Sequence, residues 1–292
     1  MFFLYYYMLI LLLGDFKNFT KSKLYKSLKN IKNINFTSNI NLNYDCVLKW
    51  CDYVKNKLIY PEIPKNIKSN VKIINKDFIS QDRYYLEPFH RKAFGYDLNI
   101  DPFTFTGTIF RKATSHDSKF LKLPENLDDD YHNKNGKPYY FIEKNGIRYM
   151  TFKGPIDKKD NNSVYQKCIN REKGNGIFQD YRLTIINRKP FILLDMVHPD
   201  FIAHAVKKKT IIAKKPEDFF SSDYLNKLDV FLNLINLDYG DLDLVIDTED
   251  NNTIYICDIN NTPMCGGSTP QVWYKDCWDD YLKSLNNMIN SN

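Results

Sequence analysis

Asp241-Leu-Asp-Leu-Val-Ile-Asp247, the polar break 248–252 and Thr253-Ile-Tyr-Ile-Cys-Asp-Ile-Asn260 read as two β-strands closed into a hairpin. Strand side chains alternate between faces, so Asp241, Asp243 and Asp247 share one face of the first strand and Leu242, Leu244 and Ile246 take the other. On the return strand Asp258 and Asn260 also share a face. If Asp247 lies opposite Ile254, the same antiparallel register sets Asp243 directly across from Asp258. Carboxylates facing each other at that spacing repel unless a cation sits between them. An all-oxygen donor set on a rigid hairpin suits Mg²⁺, which takes one or two carboxylates and fills its shell with water and phosphate oxygens. Solubility alone does not explain polar groups closing an apolar strand, as Asp258-Ile-Asn-Asn-Thr-Pro263 does. Asp243, Asp258 and Asn260 are therefore the candidate metal ligands.

Working outward, residues 139–156 form strand, Asn145-Gly146 turn and strand, a strong local hairpin signal. A strand follows at 164–169, then a second hairpin from the apolar runs 181–186 and 191–197. Residues 216–235 open on Pro-Glu-Asp and space Phe219, Leu225, Leu228, Phe231, Leu232 and Ile235 as an amphipathic helix does. A closing helix is expected at 271–289, and upstream a strand at 71–74 and a helix at 81–94. Hairpins alternating with helices, without a long βαβ run, predict an α+β fold of antiparallel sheets with packed helices.

The 241–260 hairpin resembles the closing hairpin of the ATP-grasp superfamily. There an acid on the first strand and an acid-x-Asn on the second hold the Mg²⁺ of MgATP. By position these are Asp243, Asp258 and Asn260. Asp258 stands where many members have Glu, one methylene longer, which would bring the metal closer to the backbone. Val164-Tyr-Gln-Lys-Cys-Ile169 is similar to the strand whose backbone contacts adenine, so Gln166, Lys167, Cys168 and Ile169 would line the adenine slot. Asp180-Tyr-Arg182 resembles the segment whose Arg reaches the phosphates. Phe94-Gly-Tyr-Asp-Leu98, Asp101-Pro102, Gly107, Arg111-Lys112 and His116-Asp117 look like a little-characterised bacterial branch, in which Lys112 faces the α- and β-phosphates. The resemblance spans residues 70–265 and implies ATP and Mg²⁺ as cofactors, with Arg182 and Lys112 as catalytic residues of an ATP-dependent carboxylate–amine or related ligase working through an acyl-phosphate. Its partners would be the nucleotide and an acceptor of unknown identity. Two departures stand out. The only glycine-rich candidates for a phosphate-covering loop are Gly154-Pro155 and Gly174-Asn175-Gly176, and no separate N-terminal domain is recognisable in residues 1–70. They keep alive a catalytically inactive nucleotide-binding or scaffold protein of the same fold.

A net charge of +6, from 41 basic and 35 acidic residues spread along the chain, suits an anionic small ligand and is too diffuse for nucleic acid. The six cysteines contain no CxxC pair, which argues against a zinc module and for reduced thiols. Residues 1–13 are an unbroken apolar run, shorter than the ~20 residues of a membrane span and lacking a signal peptide's basic start and cleavage site. Membrane association through residues 1–13 is thus an open reading beside the preferred cytoplasmic location, with a membrane-anchored or secreted protein as the alternative. Apolar spacing at Val47, Leu48, Cys51, Val54 and Leu58 predicts a helix over 44–60. The expected organisation is an apolar segment, tether and outlying helix in 1–65, then an ATP-grasp-like domain in 66–292.

Overall fold

Residues 8–13 of the N-terminal apolar run form a strand. In the computed structural model, which describes residues 8–13, 34–39, 45–49, 52–54, 57–59, 63, 65, 67, 70–79, 83–113, 142–144, 147–155, 163–199, 210–250, 252–260 and 277–291, β1 (Met8–Leu13) lies between β2 (Ile34–Thr37) and β3 (Cys46–Lys49). Both pairings are parallel. Ile10, Leu11, Cys46 and Val47 are fully buried. A parallel strand covered on both faces reads as a continuous apolar run, which is why 8–13 looks like an anchor in the sequence; here that run supports the sheet. Among the described residues no helix is long and apolar enough to cross a membrane.

The helix expected over 44–60 is not formed. The chain there makes β3, then a small hairpin of β4 (Asp52–Val54) and β5 (Lys57–Ile59). Non-local pairing decides against the local period. Cys46, Val47 and Leu48 bond β1 on one side and, on the other, β6 (Lys72–Ile74), giving the sheet order β2-β1-β3-β6.

Helix α1 (Arg83–Phe94) leads into a second sheet of β7 (Thr108–Ala113), β8 (Ile142–Lys144), β9 (Ile147–Lys153) and β10 (Ser163–Lys167), in the order β10-β7-β9-β8. Lys144 pairs with Ile147, so β8 and β9 are antiparallel neighbours as expected over 139–156; the expected Asn145-Gly146 turn itself lies outside the described residues.

The third sheet contains β11 (Phe178–Ile186), β12 (Lys189–His198) and β13 (Thr210–Lys214). Two helices, α2 (Pro216–Phe219) and α3 (Ser222–Ile235), intervene before β14 (Tyr239–Ile246) and β15 (Ile254–Asn260). Helix α4 (Trp278–Asn290) ends the described chain. The sheet order is β13-β12-β11-β14-β15, antiparallel throughout. Asn187 and Arg188, both left-handed with φ of 54° and 60°, make the tight turn between β11 and β12 as a two-residue hairpin with primed geometry requires. The helix expected as one piece over 216–235 is two, because Ser221 is extended and caps α3 by accepting the Tyr224 N–H at 3.2 Å.

One face of this sheet, with Leu183, Ile185, Leu193, Leu242, Leu244 and Ile259, packs against Leu228, Phe231, Leu232 and Ile235 of α3 and Leu86 of α1. Each such side chain contributes about 1.5–3 kcal/mol on burial. The first and third sheets are tied by Asn75, whose fully buried amide donates to Tyr239 O at 2.8 Å and accepts from the N–H groups of Asp238 and Tyr239 at 2.9 and 3.0 Å. Lys72 reaches the end of α4, donating to the carbonyl oxygens of Met288 and Ser291 at 2.7 and 3.0 Å.

Candidate functional site

The acidic face of β14 turns away from the α3 core. Leu242, Leu244 and Ile246 join that core, whereas Val245 packs with Leu98, Ile169 and Tyr255 on the other side. Asp243 lies across from Asp258, and Asp241 from Asn260. The route to that pairing differs from the expected one. At the turn Ile246, not Asp247, is opposite Ile254, a register one residue off; a β-bulge at Cys257 then shifts the pairing so that Asp243 meets Asp258. A one-residue slip moves every later side chain to the opposite face. Without the bulge, Asp258 and Asn260 would share a face with Leu242 and the core. The close approach at the strand end needs Gly240, since a Cβ there would sit 2.8 Å from Asn260 O.

Strand β11 adds the cation. Arg182 is in register with Asp243, and its guanidinium grips both carboxylate oxygens, Nε to Oδ1 at 2.7 Å and Nη2 to Oδ2 at 3.1 Å. This bidentate fork is the strongest common geometry for an arginine–carboxylate pair. Two pairs further along, the Thr184 hydroxyl donates to Asp241 Oδ1 at 2.9 Å. Burial pushes the Asp241 carboxyl up to about 6, against the lowering effects of Arg182 and the Thr184 hydrogen bond; the Asp243 charge adds to the rise. Sequence reasoning placed Asp241 on the acidic face but missed Thr184, whose only signal was its place two residues after Arg182 on the same face. Asp258 Oδ1 accepts the Ile259 N–H at 3.0 Å.

The residues expected around the adenine lie where the second and third sheets meet. Both edges of β10 are used. It pairs with β7, and on its other side Lys167 N–H donates to Leu98 O at 2.9 Å and Tyr165 O accepts from Ile100 N–H at 2.9 Å. The buried Gln166 amide is spent on Asn99 Oδ1 at 3.0 Å. Lys167 Nζ sits 2.9 Å from the buried carboxylate of Asp247, so it clasps the hairpin to β10. Cys168 and Ile169 follow where the chain leaves the strand, and Ile169 joins the apolar cluster of Leu98, Val245 and Tyr255. Lys112 lies in β7, in register with Val164 of β10, on a different sheet from Arg182.

Neither glycine-rich candidate is shaped as a phosphate cover. Gly154 donates its N–H to Gly107 O at 3.0 Å, and a Cβ there would run into Phe105 O. Gly174-Asn175-Gly176 is an exposed turn whose Gly176 N–H goes to Glu172 Oε1 at 2.9 Å. His116-Asp117 lies outside the described residues.

The donor set fits a hard divalent cation. Two carboxylates and a carboxamide come from adjacent antiparallel strands, and the Arg182 guanidinium holds Asp243 as a positive group would. Among the described residues no group of three or more His, Cys, Asp or Glu is gathered for a metal, so a cation here would rest on two carboxylates and the Asn260 carboxamide, with its remaining ligands from outside the protein.

No family model and no curated protein matches the sequence. Solved structures do match in shape. The ATP-grasp ligase PsnB complexed with precursor peptide PsnA2 and AMPPNP superposes with a TM-score of 0.55 at 11% identity, covering 99% of each chain. The macrocyclase MdnC bound with precursor peptide MdnA, from Microcystis aeruginosa MRC, gives 0.53 at 12% identity over 97% of this chain and 100% of its own. The D-alanine–D-alanine ligase of Bacillus anthracis complexed with ATP gives 0.51 at 11% identity over 97% and 96%. With a parallel first sheet, antiparallel second and third sheets, packed helices and an end-to-end match to these structures, the chain has an ATP-grasp-like fold.

Proposed function

We propose that this protein is an ATP-dependent ligase that activates a carboxylate as an acyl-phosphate for attack by an amine or related nucleophile. The observation that carries the reading is the convergence of Asp243, Asp258 and Asn260 on one face of the β14–β15 hairpin with Arg182 in register beside them. Asp243, Asp258 and Asn260 would hold Mg²⁺, which supplies charge neutralisation at the phosphates. The cluster of Leu98, Ile169, Val245 and Tyr255 gives an apolar wall for adenine. With the Lys167 N–H already bonded to Leu98, backbone contact to the base falls to Cys168 and Ile169.

The terminal phosphoryl group passes from ATP to an acceptor carboxylate oxygen, leaving ADP. The nucleophile's lone pair then attacks the acyl carbon, and inorganic phosphate departs with the electron pair of the broken C–O bond. Arg182, with Lys112 of the second sheet, neutralises the charge that spreads over the transferring oxygens. PsnB and MdnC were solved with precursor peptides, which makes a peptide carboxylate the first acceptor class to try. Dependence on ATP favours a cytoplasmic setting.

The test is calorimetric titration of the full chain with ATP, with and without Mg²⁺, beside Asp258→Ala. The full chain is needed because β1 is buried in the first sheet. Mg²⁺-dependent binding that disappears in the variant supports the reading. Equal binding by both proteins would move the site elsewhere, and a folded wild type that ignores ATP would remove the ligase reading.

A further inference from the structure

Arg182 occupies the carboxylate that the metal would need. Its fork uses both oxygens of Asp243, and the two side chains are 14% and 25% exposed, so the pair is largely shielded from water. Shielding strengthens the pair relative to a surface ion pair. Metal entry at Asp243 therefore carries two costs in the absence of nucleotide. The fork must open, and the guanidinium is left beside a divalent cation with Asp241, already bonded by Thr184, as a described carboxylate neighbour.

Resting on the ligase reading above, we propose that Arg182 and the divalent cation exchange on Asp243, with the nucleotide phosphates receiving the displaced guanidinium. The ion pair is then a lock against metal binding without nucleotide, and metal and nucleotide bind with positive coupling. Neighbouring residues suit this exchange. Leu194, the partner of Arg182 on β12, is fully buried and apolar, and Asp241 is already engaged by Thr184. The exchange needs no backbone movement, because Arg182 and Asp243 are in register on adjacent strands.

The experiment measures Mn²⁺ affinity by electron paramagnetic resonance, with and without AMPPNP, on the full-length wild type, Arg182→Gln, Arg182→Lys and the double variant Arg182→Gln/Asp243→Asn. Circular dichroism checks that each is folded. Without nucleotide, Arg182→Gln should bind Mn²⁺ about tenfold more tightly than wild type, the equivalent of one ion pair of about 1.4 kcal/mol. Arg182→Lys keeps the charge but gives up the fork, and should gain about threefold, half that free energy. The double variant should lose the gain. With AMPPNP the order should reverse, the wild type binding Mn²⁺ more tightly than Arg182→Gln.

No gain in Arg182→Gln overturns the lock, as does a gain that persists in the double variant. A gain in Arg182→Gln with none in Arg182→Lys assigns the effect to charge alone and also overturns it. These outcomes are read without nucleotide, so they are separate from the ligase reading, whose own failure is a wild type that does not bind AMPPNP at any Mn²⁺ concentration.

Discussion

Replacing His90 should remove an acid-sensitive weakness from the core. His90 lies on α1, 5% exposed, stacked on Phe231 at 4.9 Å between ring centroids and close to Tyr96 at 5.7 Å. Among the described residues neither ring nitrogen has a hydrogen-bond partner. Burial alone pulls its pKa from 6.5 down to about 4. The folded-state value is depressed, so the unfolded chain takes up the proton first. The neutral imidazole's contribution is thus complete above about pH 6.5 and is lost as the pH falls towards about 4. A gap of 2.5 pH units at 1.36 kcal/mol each amounts to roughly 3 kcal/mol, a large share of a typical stability of about 5–15 kcal/mol. The assay is urea unfolding of wild type and His90→Leu at several pH values between about 7.5 and 4. Taking the difference between the two proteins cancels the other titrating groups. The variant should gain on the wild type by roughly 3 kcal/mol across that range, most of it below about pH 6. Parallel stability curves would refute the burial argument, because they would mean that His90 is charged or hydrated in the folded state.

Other substitutions probe the site and its supports. Asn75→Ala removes three hydrogen bonds to 238–239 and strands buried backbone groups; chemical denaturation should show a loss of about 2–4 kcal/mol. Gly240→Ala presses a Cβ against Asn260 O, and calorimetry should show weakened Mg²⁺-dependent nucleotide binding with a loss of stability of about 1–3 kcal/mol. Thr184→Val withdraws the one described hydroxyl on Asp241. The Asp241 carboxyl should titrate higher still by NMR, with a stability cost of about 1–3 kcal/mol at neutral pH.

Much of this fold is legible in short stretches of sequence because local chemistry settles it. The apolar runs 181–186 and 191–197 pair as the expected hairpin, closed at Asn187-Arg188, and the apolar spacing up to Ile235 forms α3, though that spacing does not announce the Ser221 cap that splits the expected helix. Alternation along 241–247 separates the acidic face from the apolar one, as the two clusters on either side of β14 bear out. These features depend on neighbours within a few residues. Apart from β6, expected over 71–74, the N-terminal sheet was not legible in that way. A buried parallel strand and a membrane segment both read as an apolar run, and only the pairing of β1 with β2 and β3 tells them apart. The helical spacing over 44–60 was overridden by the same non-local pairing.

The sequence by itself determined the chemistry on offer at the hairpin: oxygen donors on one face, apolar side chains on the other, and a strand arginine upstream. The tertiary structure decided which of these groups meet. Arg182 reaches Asp243 across 61 residues of chain only because β11 and β14 are neighbours in one register. Asp258 faces Asp243 only because a bulge at Cys257 corrects a register that starts one residue off at the turn. Register is a property of paired strands and of the packing that holds them, so it cannot be computed from either strand alone.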